Sequence, residues 1–340
     1  MLDETYIFYK KFSNLINKSY KYILFVSSFF ILISSSDKIN FKKFFNSRFP
    51  LNSINNQKNQ VCICATGKQE NRYIKEYVEH YKNLGVDKIF LYDNNNKKGE
   101  KFESVLSKYI KENYIEIFDY RGKVSPQLKL YEKCYNNNKK YYDWFIFFDI
   151  DEFIHLSNYT NIKDFLNENK FKKCNLIYFN CVRHTDNDLL YYDNRTLAER
   201  FPIIKWNSSM YTLKTIMRGH NKHHIKFRTT HWLNRGLKMG CNVFGKVTFP
   251  TGRVKLGKNI NHPQHKIYYI DHYCFKSTEE YINKINKGDG VFGYNKRIKM
   301  HKINLYFKYN KITLEKINFI ENETHLNLSH FKLMINNNNS

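Results

Sequence analysis

The sequence lacks the cysteine patterns that bind zinc. Its seven cysteines include no Cys-x-x-Cys pair and no cysteine–histidine spacing of the zinc-finger type, which argues against a zinc-finger module. Cys62 and Cys64 are one residue apart on a predicted strand, so their side chains face the same side of it without bonding each other. We expect buried free thiols, and the odd number leaves at least one cysteine unpaired within a monomer.

A glycine-rich phosphate loop is also missing. The first predicted strand ends at Thr66-Gly67-Lys68, which offers a single glycine. Nucleotidyl- and sugar-phosphate transferases also place paired acids beyond parallel strands, but they should show such a loop after the first strand. This class remains an alternative that the missing glycines disfavour.

Acidic residues are scarce beside basic ones. The chain has 31 Asp and Glu against 56 Lys and Arg, a net charge of +25, and such a charge attracts phosphates, nucleic acid or an anionic membrane. The lysines are scattered among Asn, Ile and Tyr, however, and the aromatic residues are more typical of a core than of an exposed stacking surface. We expect no nucleic-acid partner, with a basic nucleic-acid-binding protein kept as an alternative.

No apolar run is long enough to span a bilayer without strain. Residues 22–36 carry no charge, but fifteen helical residues extend roughly 22 Å against a hydrocarbon core of about 30 Å. Lysines before this run favour a cytoplasmic N-terminus. We expect a signal-anchor that makes the protein a single-pass type II membrane protein with its catalytic part in a Golgi-like lumen. A cleaved signal peptide, a buried core helix and an interfacial helix on a cytoplasmic, membrane-associated protein are alternatives.

The central part of the chain alternates strands and helices. Predicted strands at 61–65, 88–92, 114–118, 144–148 and 176–179 are separated by helical patterns up to about residue 190. This order predicts an α/β fold with a mostly parallel sheet flanked by helices, and ligands that bind beyond the carboxyl ends of the strands. We divide the chain into a basic N-terminal segment with an Asn-rich stem (1–60), one α/β domain with a loop-rich C-terminal extension (61–305) and a C-terminal tail (306–340).

An acidic turn follows the most apolar strand. Asp149 and Asp151 directly follow the run Trp144–Phe148 and lie on one side of the chain, with Ile150 turned away. Two carboxylates at the mouth of a buried strand need a compensating cation. Oxygen ligands suit Mg²⁺ or Mn²⁺ with a phosphorylated ligand, and the alternative is a solvated acidic turn.

Several stretches in order resemble glycosyltransferase family 92, which is related to the family 2-like enzymes of the GT-A fold. They span about residues 61–290. The similar stretches are Lys68–Tyr81 with Leu84-Gly85-Val86, Leu91–Asn95, Phe148–Phe153 (the D-x-D element), Glu199-Arg200-Phe201, Leu213–Ile216, Asp271-His272-Tyr273 and Lys276–Glu280.

This resemblance implies a glycosyltransferase that transfers a sugar, expected from a UDP-hexose, to a glycan or other hydroxyl acceptor. It implies that Asp149, Asp151 and His272 hold Mn²⁺ or Mg²⁺ at the diphosphate of the nucleotide-sugar donor. The residues implied in substrate binding are Asp93, which would contact the nucleotide base, Glu70, which would support the loop around the base after the first strand, Lys214, and Lys276 at the phosphates. A purely structural role is open for each of Asp93, His272 and Lys276, and other histidines of the later region (His223, His224, His231, His262 and His265) are alternatives to His272.

An inverting enzyme of this kind also needs a base for the acceptor hydroxyl. Asp186, which follows a predicted core strand, is the first candidate for this base, and Asp188 and Glu199 are the alternatives. The stretch around Asp186 departs from the family pattern, which leaves the acceptor and the stereochemical outcome open. A non-catalytic scaffold that keeps the fold is a further alternative, against which the intact acidic pair argues.

Overall fold

The computed structural model describes residues 59–123, 127–205, 212–220, 222, 224–227, 240–247, 267–288 and 295–338. They belong to one compact unit, residues 59–340. No helix within these ranges is long and apolar enough to cross a membrane. Residues 22–36, the expected signal-anchor, and the stem up to residue 58 lie outside the described part.

Four parallel strands form the first half of the sheet, as the alternating pattern predicts. They are β1 (Val61–Gly67), β2 (Lys88–Asp93), β3 (Ile115–Asp119) and β4 (Trp144–Ile146), arranged in the order β3-β2-β1-β4. Three helices connect them: α1 (Asn71–Asn83), α2 (Glu103–Lys111) and α3 (Gln127–Asn138). Helix α1 forms because its apolar residues recur at helical spacing, and it ends before Gly85, whose φ of +89° suits glycine.

The second half of the sheet is mixed. Its strands are β5 (Glu152–Leu156), β6 (Leu176–His184), β7 (Ile204–Lys205), β8 (Thr212–Arg218), β9 (Gly240–Asn242) and β10 (Tyr268–His272), with short helices α4 (Ile162–Leu166) and α5 (Leu197–Arg200) and a 3₁₀ turn (Asn169–Phe171). Beyond β4 the order continues β8-β6-β10-β5, with β7 and β9 also paired to β6. The pairs β4·β8, β8·β6 and β10·β5 are antiparallel, whereas β6·β10 is parallel.

Alternation along β1 divides the core between the two faces of the sheet. Val61, Ile63 and Ala65 pack with α1 in one cluster, and Cys62 and Cys64 pack with α3 in the other. The predicted α/β fold, a central sheet flanked by helices, is therefore confirmed.

The C-terminal region consists of packed helices: α6 (Thr278–Lys287), α7 (Lys296–Tyr309), α8 (Leu314–Thr324) and α9 (Ser329–Asn338). Their apolar faces form a third cluster that includes Ile282, Ile303 and Ile317. The domain limit drawn at residue 305 falls inside α7, and the residues grouped after it as a tail are largely helical.

The expectation of free thiols is wrong for four of the seven cysteines. Cys64 bonds Cys134 with a Cα–Cα distance of 6.2 Å, and Cys174 bonds Cys241 at 5.7 Å. Residues about 70 positions apart in sequence meet because α3 packs on β1 and β9 pairs with β6. Sequence spacing carries no such information. Cys62, Cys181 and Cys274 belong to neither bond.

Candidate functional site

Residues of β1 and α1 contact the acidic turn, residues 148–152, and fix its backbone. Ile150 packs against Gly67, where an added Cβ would lie only 2.5 Å from Ile150 Cδ1 and would displace this side chain. The hydroxyl of Tyr77 donates to the Phe148 carbonyl at 3.2 Å, and that of Tyr81 donates to the Glu152 carbonyl at 2.8 Å. The turn therefore has fixed backbone anchors on both sides of the two aspartates.

Asp149 is bound through both carboxylate oxygens. Gln127 Nε2 donates to Oδ1 at 2.7 Å, and Lys214 Nζ lies 2.7 Å from Oδ2 and 2.9 Å from Glu152 Oε2. Burial of Lys214 opposes its protonation, but Asp149 and Glu152 hold its pKa well above the usual range. Burial raises the pKa of Glu152 to about 8 despite the nearby Lys214. Lys214 is buried beneath the turn and is one of the cations that this acidic turn requires.

Asp151 is held by a different set of side chains. Lys284 Nζ lies 2.7 Å from Oδ2, Lys276 Nζ lies 3.8 Å from the same oxygen, and His272 Nε2 lies 3.6 Å from Oδ1. Burial disfavours the ionised carboxylate, but the ammonium groups of Lys284 and Lys276 hold the pKa of Asp151 well below its usual value. Asp149 and Asp151 therefore have separate environments two residues apart.

Strand pairing brings His272 to the turn. It lies opposite Glu152 where β10 pairs with β5, and burial lowers its pKa to about 3, so the imidazole is neutral. His272 Nδ1 and Glu152 Oε1 are 3.8 Å apart, and within the described residues neither atom has a hydrogen-bond partner. If Nδ1 carries the proton, it faces Glu152, and the Nε2 lone pair faces Asp151.

A cleft of about 630 Å³ opens beside Asp151, between the β1–α1 loop and helix α6. We call it the basic cleft because five cationic side chains line it, against three acidic ones. Its lining residues are Lys68, Gln69, Glu70, Arg72, Tyr73, Asn96, Glu100, Lys276, Glu280, Asn283, Lys284, Asn286 and Lys287. Such a lining attracts an anionic ligand and has hydrogen-bonding groups for its polar parts.

Lys276 and Glu70 connect the cleft to the acidic turn. Lys276, at a positive φ of 57°, lies 4.1 Å from the centre of the Tyr73 ring and 3.8 Å from Glu70 Oε2. Burial lowers the pKa of Lys276 despite Glu70 and Asp151. Glu70 Oε1 lies 2.7 Å from Lys287 Nζ, so Lys276 and Lys287 bracket this carboxylate. Glu70, Asp151 and Lys276 thus form one connected group.

The donor atoms fit a divalent cation only in part. Among the described residues, no group of three or more His, Cys, Asp or Glu side chains is arranged to hold a metal. Both Asp149 oxygens are already hydrogen-bonded, which leaves Asp151 Oδ1 and His272 Nε2 as an adjacent oxygen–nitrogen pair. Mg²⁺ and Mn²⁺ sites with few protein ligands are completed by substrate phosphates and water, so this pair fits a metal that arrives with a phosphorylated ligand.

Comparison with known proteins identifies the family. The family model described as glycosyltransferase family 92 matches residues 57–328, most of the chain. The chain belongs to glycosyltransferase family 92. The resemblance predicted from the sequence is therefore confirmed.

Curated relatives match shorter segments of the family 92 chain. A family 92 protein of Ricinus communis is 30% identical over 109 residues, which cover 31% of this chain and 19% of the relative. One of Arabidopsis thaliana is 29% identical over 110 residues and is covered to 18%. The matches thus span about a fifth of these relatives' length.

Solved structures resemble the family 92 chain only distantly. Staphylococcus aureus TarS (residues 1–349) has 11% identity and a TM-score of 0.35, with 82% of this chain and 78% of that one covered. The Pyrobaculum calidifontis mannosyltransferase PcManGT, in complex with GDP-Man and Mn²⁺, has 9% identity and a TM-score of 0.25, with 36% and 35% covered. At these scores neither similarity defines a ligand or a mechanism for this chain.

Asp93 lies at the neighbouring strand end. It pairs with Gly67 in the β1–β2 register, and its Oδ1 accepts from the Asn95 backbone N–H at 2.9 Å. Oδ2 lies 3.8 Å from Arg121 Nε and lacks a hydrogen-bond partner within the described residues. Burial raises the pKa of Asp93. The side chain shapes the loop whose Asn95 accepts from Gln69 N–H at 2.6 Å in the cleft wall.

Asp186 lies in a separate buried group. Its Oδ2 accepts from the Tyr306 hydroxyl and pairs with Lys316 Nζ at 2.7 Å, and its Oδ1 accepts from the Asp188 N–H at 3.0 Å. These contacts join the end of β6 to helices α7 and α8. Glu199, an alternative to Asp186 as the base, caps α5 through Thr196. Of the histidines that are alternatives to His272, His223, His231, His262 and His265 lie outside the described residues.

The sequence interpretation missed Gln127, Glu152, Lys284 and Lys287 as parts of the site. For α6 a signal existed, because Glu280, Lys284 and Lys287 recur at the spacing of one helix face, and all three line the cleft. No sequence pattern around Gln127 predicts that this residue of α3 contacts Asp149.

Proposed function

We propose that the basic cleft binds a nucleotide sugar and that the family 92 chain transfers the sugar, a hexose carried on UDP, to a hydroxyl group of a glycan. The observation that carries this proposal is that Lys276 and Lys284, which line the basic cleft, also reach Asp151, and that His272 lies beside Asp151. A carboxylate–imidazole pair beside several ammonium groups suits a diphosphate better than an uncharged ligand.

In the proposed reaction the acceptor oxygen forms a bond to the anomeric carbon while the bond from that carbon to the diphosphate oxygen breaks. The nucleoside diphosphate leaves with the bonding electron pair, and the acceptor hydroxyl gives its proton to a base, for which Asp186 is the predicted residue. Lys276 and Lys284 stabilise the negative charge that grows on the leaving group. A divalent cation held by Asp151 and His272 would act there as a Lewis acid.

The remaining contacts hold these groups in place. Lys214 and Gln127 fix Asp149, and Tyr77 and Tyr81 fix the backbone on either side of the turn. Glu70 and Asp93 shape the cleft wall where we propose that the nucleotide base lies. Asp186 stays the predicted base, although Tyr306 and Lys316 already occupy its Oδ2.

To test this proposal, residues 59–340 are incubated with UDP-, GDP- and other nucleotide sugars in the presence of Mn²⁺, Mg²⁺ or EDTA, and the release of nucleoside diphosphate is measured. Release of nucleoside diphosphate from one donor, with no release in EDTA, is the expected result. No release from any donor, together with no nucleotide-dependent rise in melting temperature, would refute the proposal.

We further propose that the catalytic part works in an oxidising compartment, as the expected luminal placement requires. Two disulfides join distant parts of the described chain, and structural disulfides form and persist in secretory compartments. Expression with and without passage through a secretory pathway tests this. We expect higher specific activity and resistance to proteolysis only after secretion, and equal properties of cytosolic protein with all thiols reduced would contradict it.

A further inference from the structure

Lys284 is more exposed to solvent than the other two lysines that contact the acidic turn. Its side chain is 37% exposed, whereas those of Lys276 and Lys214 are 6% and 0% exposed. Lys214 is fixed between two carboxylates, and Lys276 is packed over Tyr73. Lys284 reaches Asp151 from the rim of the basic cleft, so rotation of its side chain can carry the ammonium group to another position in that cleft.

Besides the Cys274 carbonyl at 3.4 Å, Lys284 contacts the carboxylate that a metal ion would need. Its ammonium group lies 2.7 Å from Asp151 Oδ2, on the carboxylate whose other oxygen faces His272. A divalent cation at this carboxylate would repel an ammonium group held so close. Because both cations would share one carboxylate, each weakens the binding of the other unless a further anion neutralises them or the lysine moves away.

A diphosphate would provide that anion. Because Lys284 and Lys287 line the cleft one helical turn apart, an anionic ligand there can accept hydrogen bonds from Lys284 after it leaves Asp151. The free energy lost at the carboxylate is then recovered at the phosphates, but only when the nucleotide is present.

We propose that Lys284 occupies Asp151 in the donor-free enzyme and passes to the diphosphate when the donor and the metal bind together. This inference rests on the proposed function. Lys284 thereby makes metal binding depend on the nucleotide. Without nucleotide it competes with the metal for Asp151, and with nucleotide bound it stabilises the complex that contains both ligands. Such thermodynamic coupling between two ligands is reciprocal.

The test measures Mn²⁺ binding to residues 59–340, first with MnCl₂ alone and then with UDP, by the electron paramagnetic resonance signal of free Mn²⁺. We expect Lys284→Gln to bind Mn²⁺ alone roughly tenfold more tightly than wild type, within the ordinary range for coupled sites. The same variant should bind UDP in the presence of Mn²⁺ more weakly than wild type.

Lys287→Gln is the matched control, because it removes the same charge one turn along α6 from a lysine that contacts Glu70 and the Lys68 carbonyl. We expect weaker UDP binding but unchanged affinity for Mn²⁺ alone. Unchanged, weaker or undetectable Mn²⁺ binding by Lys284→Gln would overturn the inference, as would an equal gain in Lys287→Gln. If Lys284→Gln gains Mn²⁺ affinity while no nucleotide sugar reacts with wild type, the ion-pair competition stands and the proposed function fails.

Discussion

Single buried charges determine whether the acidic turn can exist. Asp149 and Glu152 are both held by Lys214, whose side chain has no solvent exposure. Removing Lys214 leaves Glu152, whose side chain is only 1% exposed, without a compensating charge. The role of Lys214 is therefore to stabilise the turn from beneath, whereas Lys276 and Lys284 face the ligand.

Lys214→Met should lower the free energy of unfolding by about 3–5 kcal/mol, since it breaks a buried ion pair. Urea denaturation of wild type and variant at pH 9, above the pKa of about 8 of Glu152, measures this. Combining the change with Glu152→Gln should cost less than the sum of the two single variants, because the second change removes the unpaired acid. A single-variant loss below about 1 kcal/mol, as at an exposed ion pair, would contradict the account.

His80 makes the free energy of unfolding depend on pH. Burial lowers its pKa to about 4, although Nε2 lies 3.2 Å from the Ile154 carbonyl. Between this value and the unfolded pKa of about 6.5, the unfolded chain binds a proton that the folded chain does not. The stability contributed by neutral His80 is therefore present above about pH 6.5 and is lost as the pH falls toward 4.

The comparison of wild type with His80→Gln isolates this term. We expect the unfolding free energy of wild type to fall more steeply between pH 6.5 and 4.5 than that of the variant. Parallel curves over this interval would show that His80 titrates alike in the folded and unfolded states.

At the scale of elements, the site is built where α1, α6 and the strand ends converge. The helices α1, α2 and α3 and the first four strands follow from apolar periodicity, because each buries one regular face. The sequence also placed Asp149 and Asp151 at a strand end. The sequence does not predict that β8 pairs antiparallel with β4, because this pairing joins residues about 70 positions apart. That pairing brings Lys214 to the acidic turn. The Lys284–Asp151 pair depends likewise on how α6 packs.

Asp186 connects the sheet to the C-terminal helices, so its replacement tests a structural role against a catalytic one. Asp186→Ala should cost about 3 kcal/mol of stability, the lower end for a broken buried pair, because Asp188 still contacts Lys316. Asp188→Asn is the control: that side chain is 58% exposed, and its loss should cost at most about 1 kcal/mol. Thermal and urea unfolding measure both.

The catalytic role of Asp186 makes a different prediction for the conservative variant Asp186→Asn. If Asp186 is the base, kcat falls by about 10²-fold or more while the melting temperature changes little. A lowered melting temperature with kcat kept at 25 °C would leave Asp186 with the structural role alone.

At the scale of the whole molecule, two disulfides fasten the described fold. Each closes a loop of about 70 residues, and a bond of this kind contributes about 2–4 kcal/mol by restricting the unfolded chain. Mass spectrometry after alkylation of secreted, denatured protein should find three modified cysteines before reduction and seven after it, since four of the seven are bonded. Seven modified cysteines without reduction would contradict the two bonds.

We propose that sugar transfer takes place beside the basic cleft, where Lys276 and Lys284 reach Asp151 next to His272. The most direct measurement is the rate of nucleoside-diphosphate release, from the donor that the panel identifies, by wild type, Asp151→Asn and the control Lys111→Gln, which changes an exposed residue at the end of α2. We predict a loss of about 10²- to 10³-fold in Asp151→Asn, with Lys111→Gln at the wild-type rate. A folded Asp151→Asn variant that releases the nucleotide as fast as wild type would contradict the claim.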